Sequence, residues 1–317
     1  MKKIAIIAGI SGQDGSYLAE YLINKKFQII GLTRKFIFGK NIKHLKRKIT
    51  LVRTKYSKIE VDKIINKYKP KLVFNLAGQT SPDLSWAKPS ETIYSIVDIN
   101  LNFINSIYNF SKKTKYFNAS SSEIFLNSKK KINEESRIFP SNPYGCAKAC
   151  SHFLVSCYRK KYNLFLVNGI LFNHDSVRRD EKFLGKKIVK NSVLIKKNKK
   201  NFLNLNSLKP IRDFGYAKDY IKAMYLIMNL KRPDDFIIAS GKSYSVRSYV
   251  LEAFKLLNIS KKKIKSKNIF DTSLKKEIRA SIKKIKKFTN WKPEYTFKKM
   301  IENFVNEEKF IQNKKII

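Results

Sequence analysis

Lys3-Ile4-Ala5-Ile6-Ile7-Ala8 runs directly into Gly9-Ile10-Ser11-Gly12-Gln13-Asp14-Gly15, and a helical pattern through Tyr17, Leu18, Tyr21 and Leu22 follows. The short apolar run suits a strand buried on both faces. The glycines are spaced G-x-x-G-x-x-G. Glycine lets the backbone turn tightly and come close to a pyrophosphate, and the opening helix offers unpaired N–H groups and the positive end of its dipole. Three glycines by themselves say little. At the first strand-to-helix turn of an alternating chain they point to a dinucleotide site made by Gly9, Gly12, Gln13, Asp14 and Gly15.

The alternation continues outward. Strands are expected at Gln28–Leu32, Ile49–Val52, Lys71–Leu76, Tyr116–Ala119 and Phe165–Leu171, and helices at Ile59–Tyr68, Pro89–Phe110 and Tyr144–Tyr162. That order predicts an α/β fold, a Rossmann-like doubly wound parallel sheet with helices on both faces. After about residue 173 the rhythm becomes irregular. Helical patterns remain at Lys182–Lys190, Lys218–Leu230, Val246–Leu257 and Thr296–Ile311, with short strands at Phe202–Leu205 and Asp235–Ala239. The expected division is a dinucleotide-binding domain over residues 1–172 and a smaller mixed α/β substrate lobe over 173–317, with chain returning to the first domain.

The 317 residues are 43% hydrophobic, enough for a real core. No apolar run reaches the roughly 18–20 residues of a membrane helix, and no membrane role is expected. Met1-Lys2-Lys3 and the apolar run after it imitate an export signal only briefly before Gly12-Gln13-Asp14. With three cysteines, this points to a reducing cytoplasm. The formal charge of +43 invites a nucleic-acid reading, but only 11 of the 67 basic residues are arginine. Specific readers of DNA and bidentate phosphate sites favour arginine. The lysines are spread along the chain beside abundant isoleucine and asparagine, as A/T-rich codons would write them. No nucleic-acid partner is expected.

The end of the second strand sorts the cofactor. An NAD site usually carries Asp or Glu about 20 residues past the glycines, on the ribose 2′-hydroxyl. No acid occurs between Glu20 and Glu60, and the strand ends in Thr33-Arg34-Lys35. Arg34 suits a 2′-phosphate, so NADP is expected rather than NAD.

Tyr144-Gly145-Cys146-Ala147-Lys148 opens a helix. At about 100° per residue, Lys148 lies about 40° round from Tyr144 and one turn along. A nearby ammonium and a nicotinamide cation would lower the tyrosine pKa and make it a usable base. Ser120-Ser121-Ser122-Glu123 closes a strand whose C-terminal end faces the ligand side of such a sheet. A hydroxyl there can bond a substrate oxygen, and the Glu123 carboxylate supplies a further acid/base.

At this point the chain resembles an extended short-chain dehydrogenase/reductase, and more narrowly the GDP-mannose 4,6-dehydratase family. The resemblance rests on Ser11 to Leu22, on Asn168 to Ser176 with Arg178-Arg179, on Arg212 to Tyr220, on Tyr244 to Arg247 and on Asn290 to Pro293. It covers nearly the whole chain. It implies that Tyr144, supported by Lys148, takes the O4 proton as hydride leaves C4, that Ser121 bonds near O4, and that Glu123 takes the C5 proton and helps expel water from C6. It implies Leu76 and Ala77 at the cofactor, and Ser81, Ser122, Asn173, Lys186, Lys187, Arg212 and Arg247 at the nucleotide sugar. No metal is required. A homodimer or homotetramer is implied. Three departures stand out. The family's Gly-Asp-Leu after the third strand is replaced by Val52-Arg53-Thr54-Lys55-Tyr56, so the adenine contact is lost or rebuilt. Its Tyr-Gly after the Ser/Glu motif is Phe125-Leu126, and its Arg-Pro-x-Glu segment has no clean counterpart around Leu274 and Glu277. A related GDP-mannoheptose, or an epimerase or 4-reductase reaction on the same scaffold, therefore remains open. So does, more distantly, a basic nucleic-acid-binding protein on an inactive scaffold.

Other residues are expected to matter less. Cys146, Cys150 and Cys157 fall roughly 200–240° from Tyr144 on the wheel, which reads as packing against the sheet rather than as a metal site. Trp86 and Trp291 read as packing aromatics, His44 and His152 carry no signal, and His174 supports a loop or touches substrate. Asn100 is expected to support the Tyr/Lys pair.

Overall fold

The computed structural model describes residues 3–125, 131–267 and 279–314. Strands β1 (Lys3–Ala8), β2 (Phe27–Thr33), β3 (Ile49–Arg53), β4 (Leu72–Asn75), β5 (Lys115–Ser121) and β6 (Leu166–Leu171) form the main sheet. The helices between them are α1 (Gln13–Asn24), α2 (Lys58–Tyr68), α3 (Pro82–Ala87), α4 (Pro89–Ile93), α5 (Ile99–Phe110) and α6 (Pro143–Tyr162). Beyond these come β7 (His174–Asp175), α7 (Leu184–Lys196), β8 (Leu203–Leu205), β9 (Ile211–Asp213), β10 (Gly215–Tyr216), α8 (Ala217–Met228), β11 (Asp235–Ile238), β12 (Ser243–Ser245), α9 (Val246–Leu256), β13 (Ile264–Ser266), α10 (Lys283–Thr289) and α11 (Phe297–Lys314). The seven-stranded sheet runs β11-β6-β5-β4-β1-β2-β3, and every pair in it is parallel.

The two-residue period of a strand explains why these segments are apolar throughout. Ala5, Ile7 and Ile29 enter one core with Leu18 and Leu22 of α1 and Met224 and Ile227 of α8. Ile6, Ala8 and Ile30 enter the opposite core with Val61 and Ile65 of α2 and Phe103 and Ile107 of α5. Each such side chain contributes roughly 1.5–3 kcal/mol by leaving water. Chain from beyond residue 173 returns to this body, because β11 is its edge strand and α8 packs on α1. The smaller lobe has its own core, in which Ile188 and Val193 of α7 meet Leu203, Tyr249, Phe254 and Phe304.

Two elements differ from the expected pattern. The helix expected from Pro89 to Phe110 contains a π-turn at Tyr94–Asp98. That turn sets Ser95 against the loop after β4. Ser95 Oγ accepts from the Gln79 N–H at 3.1 Å, and a Cβ on Gly78 would lie 2.9 Å from the Ser95 carbonyl. Helix α3 was not foreseen, although Ser81-Pro82-Asp83 is an N-cap followed by proline at the first helical position.

Candidate active site

The site starts with the turn from β1 into α1. Gly9 has φ +77°, and a Cβ there would lie 2.7 Å from the Leu76 carbonyl. A Cβ on Gly15 would lie 2.4 Å from the Gly9 carbonyl. Side chains at either position would fill the cradle. Gly12 is the N-cap of α1 and supplies no side-chain cap, so the first N–H groups stay available for an anion. Gln13 ties this loop to the segment after β6. It donates to the His174 carbonyl at 3.3 Å and accepts from Ser176 Oγ at 2.8 Å. His174 Nε2 lies 2.9 Å from Asp14 Oδ2. Burial pushes the Asp14 carboxyl up, but the charge and hydrogen bond of His174, with Arg179 behind them, outweigh it and hold the pKa at about 2.

The other wall comes from the end of β5 and the start of α6. Asn142 caps α6 by accepting from the Gly145 N–H at 2.8 Å, and its amide donates to Glu123 Oε2 at 3.0 Å. One residue therefore starts the tyrosine helix and holds the carboxylate. Gly145 permits this closeness, since a Cβ there would lie 2.5 Å from the Glu123 carbonyl. The Glu123 N–H donates to Ser121 Oγ at 3.2 Å, and the Ser121 side chain lies near enough to the Tyr144 hydroxyl to pull its pKa down. Arg212 on β9 lies within electrostatic reach of Glu123. Lys148 donates to the Ala119 carbonyl at 2.6 Å, and its Nζ is 5.8 Å from the centre of the Tyr144 ring.

The electrostatics of the tyrosine and lysine are set by burial. Burial pushes the Tyr144 hydroxyl up to about 12; Ser121 and Arg179 pull it down, and Glu123 pushes it up. Burial likewise brings the Lys148 ammonium down, to about 8. In this structure the tyrosine is a resting acid.

One cleft at the C-terminal ends of the strands collects Asp14, Leu76, Ala77, Ser121, Ser122, Glu123, Tyr144, Lys148 and Asn173. Thr80, His174, Arg179 and Phe183 line it too and had been given no firm place there. Arg179 sits in the Arg-Arg pair already singled out, and Asn142 precedes a proline at the start of a helix, which is a readable cap signal. Other residues fall outside the cleft. Ser81 Oγ caps α3 by accepting from the Leu84 N–H at 3.3 Å. Lys186 turns inward to Glu308 at 2.5 Å and to the Val177 carbonyl at 2.8 Å, so its ammonium is taken up between α7 and α11. Lys187 is half-buried on α7, and Arg34 and Arg247 are exposed. Leu126, Leu274 and Glu277 lie outside the described residues.

The expected secondary features sort as follows. Cys146, Cys150 and Cys157 are exposed, on the outer side of α6 rather than against the sheet. The residues between them, Ala147, Lys148, Ala149, Ser151 and His152, take the buried face. Trp291 packs as expected and donates to the Asp219 carbonyl at 3.2 Å, but Trp86 is 67% exposed. Asn100 donates to the Ser151 carbonyl of α6 at 3.3 Å and accepts from the Tyr116 hydroxyl at 2.6 Å. His152 is buried, with its ring nitrogens 3.3 Å from Ser120 Oγ and 3.4 Å from Asp235 Oδ2.

A parallel sheet of this order, with Ser121, Tyr144 and Lys148 at its ligand edge under a glycine turn, defines a short-chain dehydrogenase/reductase of the extended kind. Solved structures bear out the fold. A dTDP-glucose 4,6-dehydratase of Bacillus anthracis superposes with a TM-score of 0.86 at 18% identity, over 99% of this chain and 98% of the other. Sequence comparison is narrower. The chain belongs to the GDP-mannose 4,6-dehydratase family, whose model matches residues 6–304. GDP-mannose 4,6 dehydratase 2 of Arabidopsis thaliana is 31% identical over 97% of this chain and 87% of its own length. The Homo sapiens GDP-mannose 4,6 dehydratase is 31% identical over 97% of this chain and 91% of its own.

Proposed function

We propose that this chain is a hydro-lyase that removes water from GDP-mannose to give GDP-4-keto-6-deoxymannose, with NADP as a resident cofactor. The observation that carries the reading is the placement of Glu123. A dehydrogenase needs only the tyrosine, lysine and serine. Here a carboxylate held by Asn142 stands beside Tyr144, within electrostatic reach of Arg212.

The residues present fit a dinucleotide. Gly9 and Gly15 leave the cradle that a Cβ would close, and α1 offers its free N–H groups. NADP rather than NAD is supported by the exposed Arg34 at the end of β2 and by the lack of any acid between Glu20 and Glu60. When bound, the nicotinamide accepts hydride from C4 of the sugar and returns it at C6, so none is consumed. Ser121 orients the sugar at O4, and Tyr144 receives the O4 proton. Lys148 keeps a positive charge behind the tyrosine while its backbone bond to Ala119 fixes its position. Glu123 removes the C5 proton and delivers it to the C6 hydroxyl as that leaves as water, and the proton taken up by Tyr144 returns to C5 when hydride reaches C6. Asn173 and Arg212 are assigned to the nucleotide diphosphate side, with Lys187 in preference to Lys186.

We assign the chain to a homodimer or homotetramer. Trp86, Ile93 and Phe153, 67%, 49% and 52% exposed, stand on the neighbouring helices α3, α4 and α6. Three free cysteines suit a reducing cytoplasm, and no helix among the described residues is long and apolar enough to cross a membrane.

Mass spectrometry of the protein with GDP-mannose and catalytic NADP tests the reading. A product lighter by one water, with no net change in NADPH absorbance, is expected. An isomer of unchanged mass, or stoichiometric consumption of reduced cofactor, would replace it with an epimerase or reductase.

A further inference from the structure

Where the sequence loses the acidic turn after β3, the structure puts a tyrosine under the glycine loop. Tyr56 Oη accepts from the Gly9 N–H at 3.3 Å and donates to the Leu32 carbonyl at 3.1 Å. The Gly9 N–H also reaches that carbonyl directly at 3.2 Å. The hydroxyl thus closes a three-membered link between the end of β1 and the end of β2. Resting on the cofactor reading above, we propose that Tyr56 is a positioning residue for the adenosine half of the cofactor, setting the glycine loop from below.

Reaching that place has a cost. Tyr56 has φ +65°, a left-handed conformation that is strained for a bulky residue. The surroundings hold it there. Its N–H donates to Thr54 Oγ1 at 2.8 Å, and its carbonyl accepts from Asn102 Nδ2 of α5 at 3.0 Å. Thr54 Oγ1 in turn donates to Glu60 Oε2 at 3.1 Å, within the capping box of α2. The ring is 2% exposed and lies 6.2 Å from that of Phe103. Burial pushes the hydroxyl up to about 12, so it remains a neutral donor.

Gly9 is confined from the other side by the Leu76 carbonyl. The Gly9 carbonyl accepts from the Gly12 N–H at 3.0 Å and bears on Gly15. A shift of Gly9 therefore carries the opening of α1, and the N–H groups aimed at the pyrophosphate, along with it. The segment from Val52 to Tyr56 carries no carboxylate of its own, the Glu60 carboxylate beside it is taken up by Thr54 and the Lys55 N–H, and the Arg34 charge reaches the Tyr56 hydroxyl. A neutral brace inside and a cation outside suit a 2′-phosphorylated adenosine.

The test is NADPH binding to the full chain, followed by nicotinamide fluorescence, for the wild type and for Tyr56→Phe. Phenylalanine keeps the ring and removes the hydroxyl. The Kd is expected to rise about tenfold, or about 1.4 kcal/mol. The cofactor-free melting point is expected to move by no more than about 3 °C, and lost turnover should be recovered by raising NADP. Asn102→Ala, which frees the Tyr56 carbonyl, should move the Kd the same way by less. A Kd within twofold of wild type in Tyr56→Phe overturns the proposal, as does a fall in kcat that excess NADP does not restore. A wild type that binds neither NADPH nor NADH sinks the cofactor reading and this inference with it. Wild-type binding that Tyr56→Phe leaves unchanged sinks only the inference.

Discussion

The β5–α6 wall of the cleft and the helix α7 beside it are built in different ways. On the β5–α6 wall, Ser121, Glu123, Tyr144 and Lys148 are held by backbone groups and by one capping residue. On α7, outside the cleft, long side chains choose among distant partners. Lys186 goes to Glu308, 122 positions away, while Lys187 beside it has no such partner among the described residues and stays half-buried. Arg179 and His174, from the loop after β6, fill the cleft instead. Where the chain itself delivers a group, motif spacing places it. Where a flexible stem delivers it, the nearest buried carboxylate decides.

The largest expected effect probes the first wall. Tyr144→Phe should lower turnover by about 10³-fold, within the span of a lost acid/base, with NADPH binding retained in a fluorescence titration. Normal turnover would mean that the wall is scaffold only. The second experiment sets adjacent lysines against each other. Lys186→Ala leaves Glu308 buried and unpaired, and should cost about 3–5 kcal/mol of stability in a urea melt. Lys187→Ala should stay within about 0.5 kcal/mol and raise the KM for nucleotide sugar. Equal melts would erase the contrast between them.

A third variant weakens the first wall at its joint. Asn142→Ala removes the cap of α6, worth about 1 kcal/mol, and also the donor to Glu123. Turnover should therefore fall further than stability, by about tenfold, whereas Asn142→Asp should restore the melt but not the rate. The smallest effect is one of pH. Burial raises the Asp219 carboxyl from 3.8 to about 6. A raised carboxylic acid favours the fold below its unfolded pKa, and that contribution is lost as pH rises through about 6. Asp219→Asn should narrow the difference between melting points at pH 5 and pH 7.

The sheet was legible because each of its strands is short, apolar and followed by a turn or a helix. The predicted Lys3–Ala8 coincides with β1, and the other strands agree to within a residue or two. That Ser121, Glu123, Tyr144 and Lys148 share one cleft was legible for the same reason, since each is fixed by its position on a strand end or a helix start. The cysteine stripe was misplaced because a buried helix face is not simply the one opposite the wet residues. On α6 the catalytic pair belongs to the buried face, so the side opposite it meets solvent. Trp86 was misplaced because aromatic character says nothing about which neighbours reach it. Tyr56 was readable only as a missing aspartate, since its role depends on a positive φ that α5 and the capping box of α2 impose together.

The contact between Gly145 and the Glu123 backbone has a consequence for inheritance. The carboxylate and the tyrosine are registered to each other across space, through Asn142 and a missing methyl group, rather than through the chain that joins them. Selection on the pair therefore falls on Asn142 and Gly145 as much as on Glu123 and Tyr144 themselves. Position 145 cannot drift even to alanine without prising the pair apart.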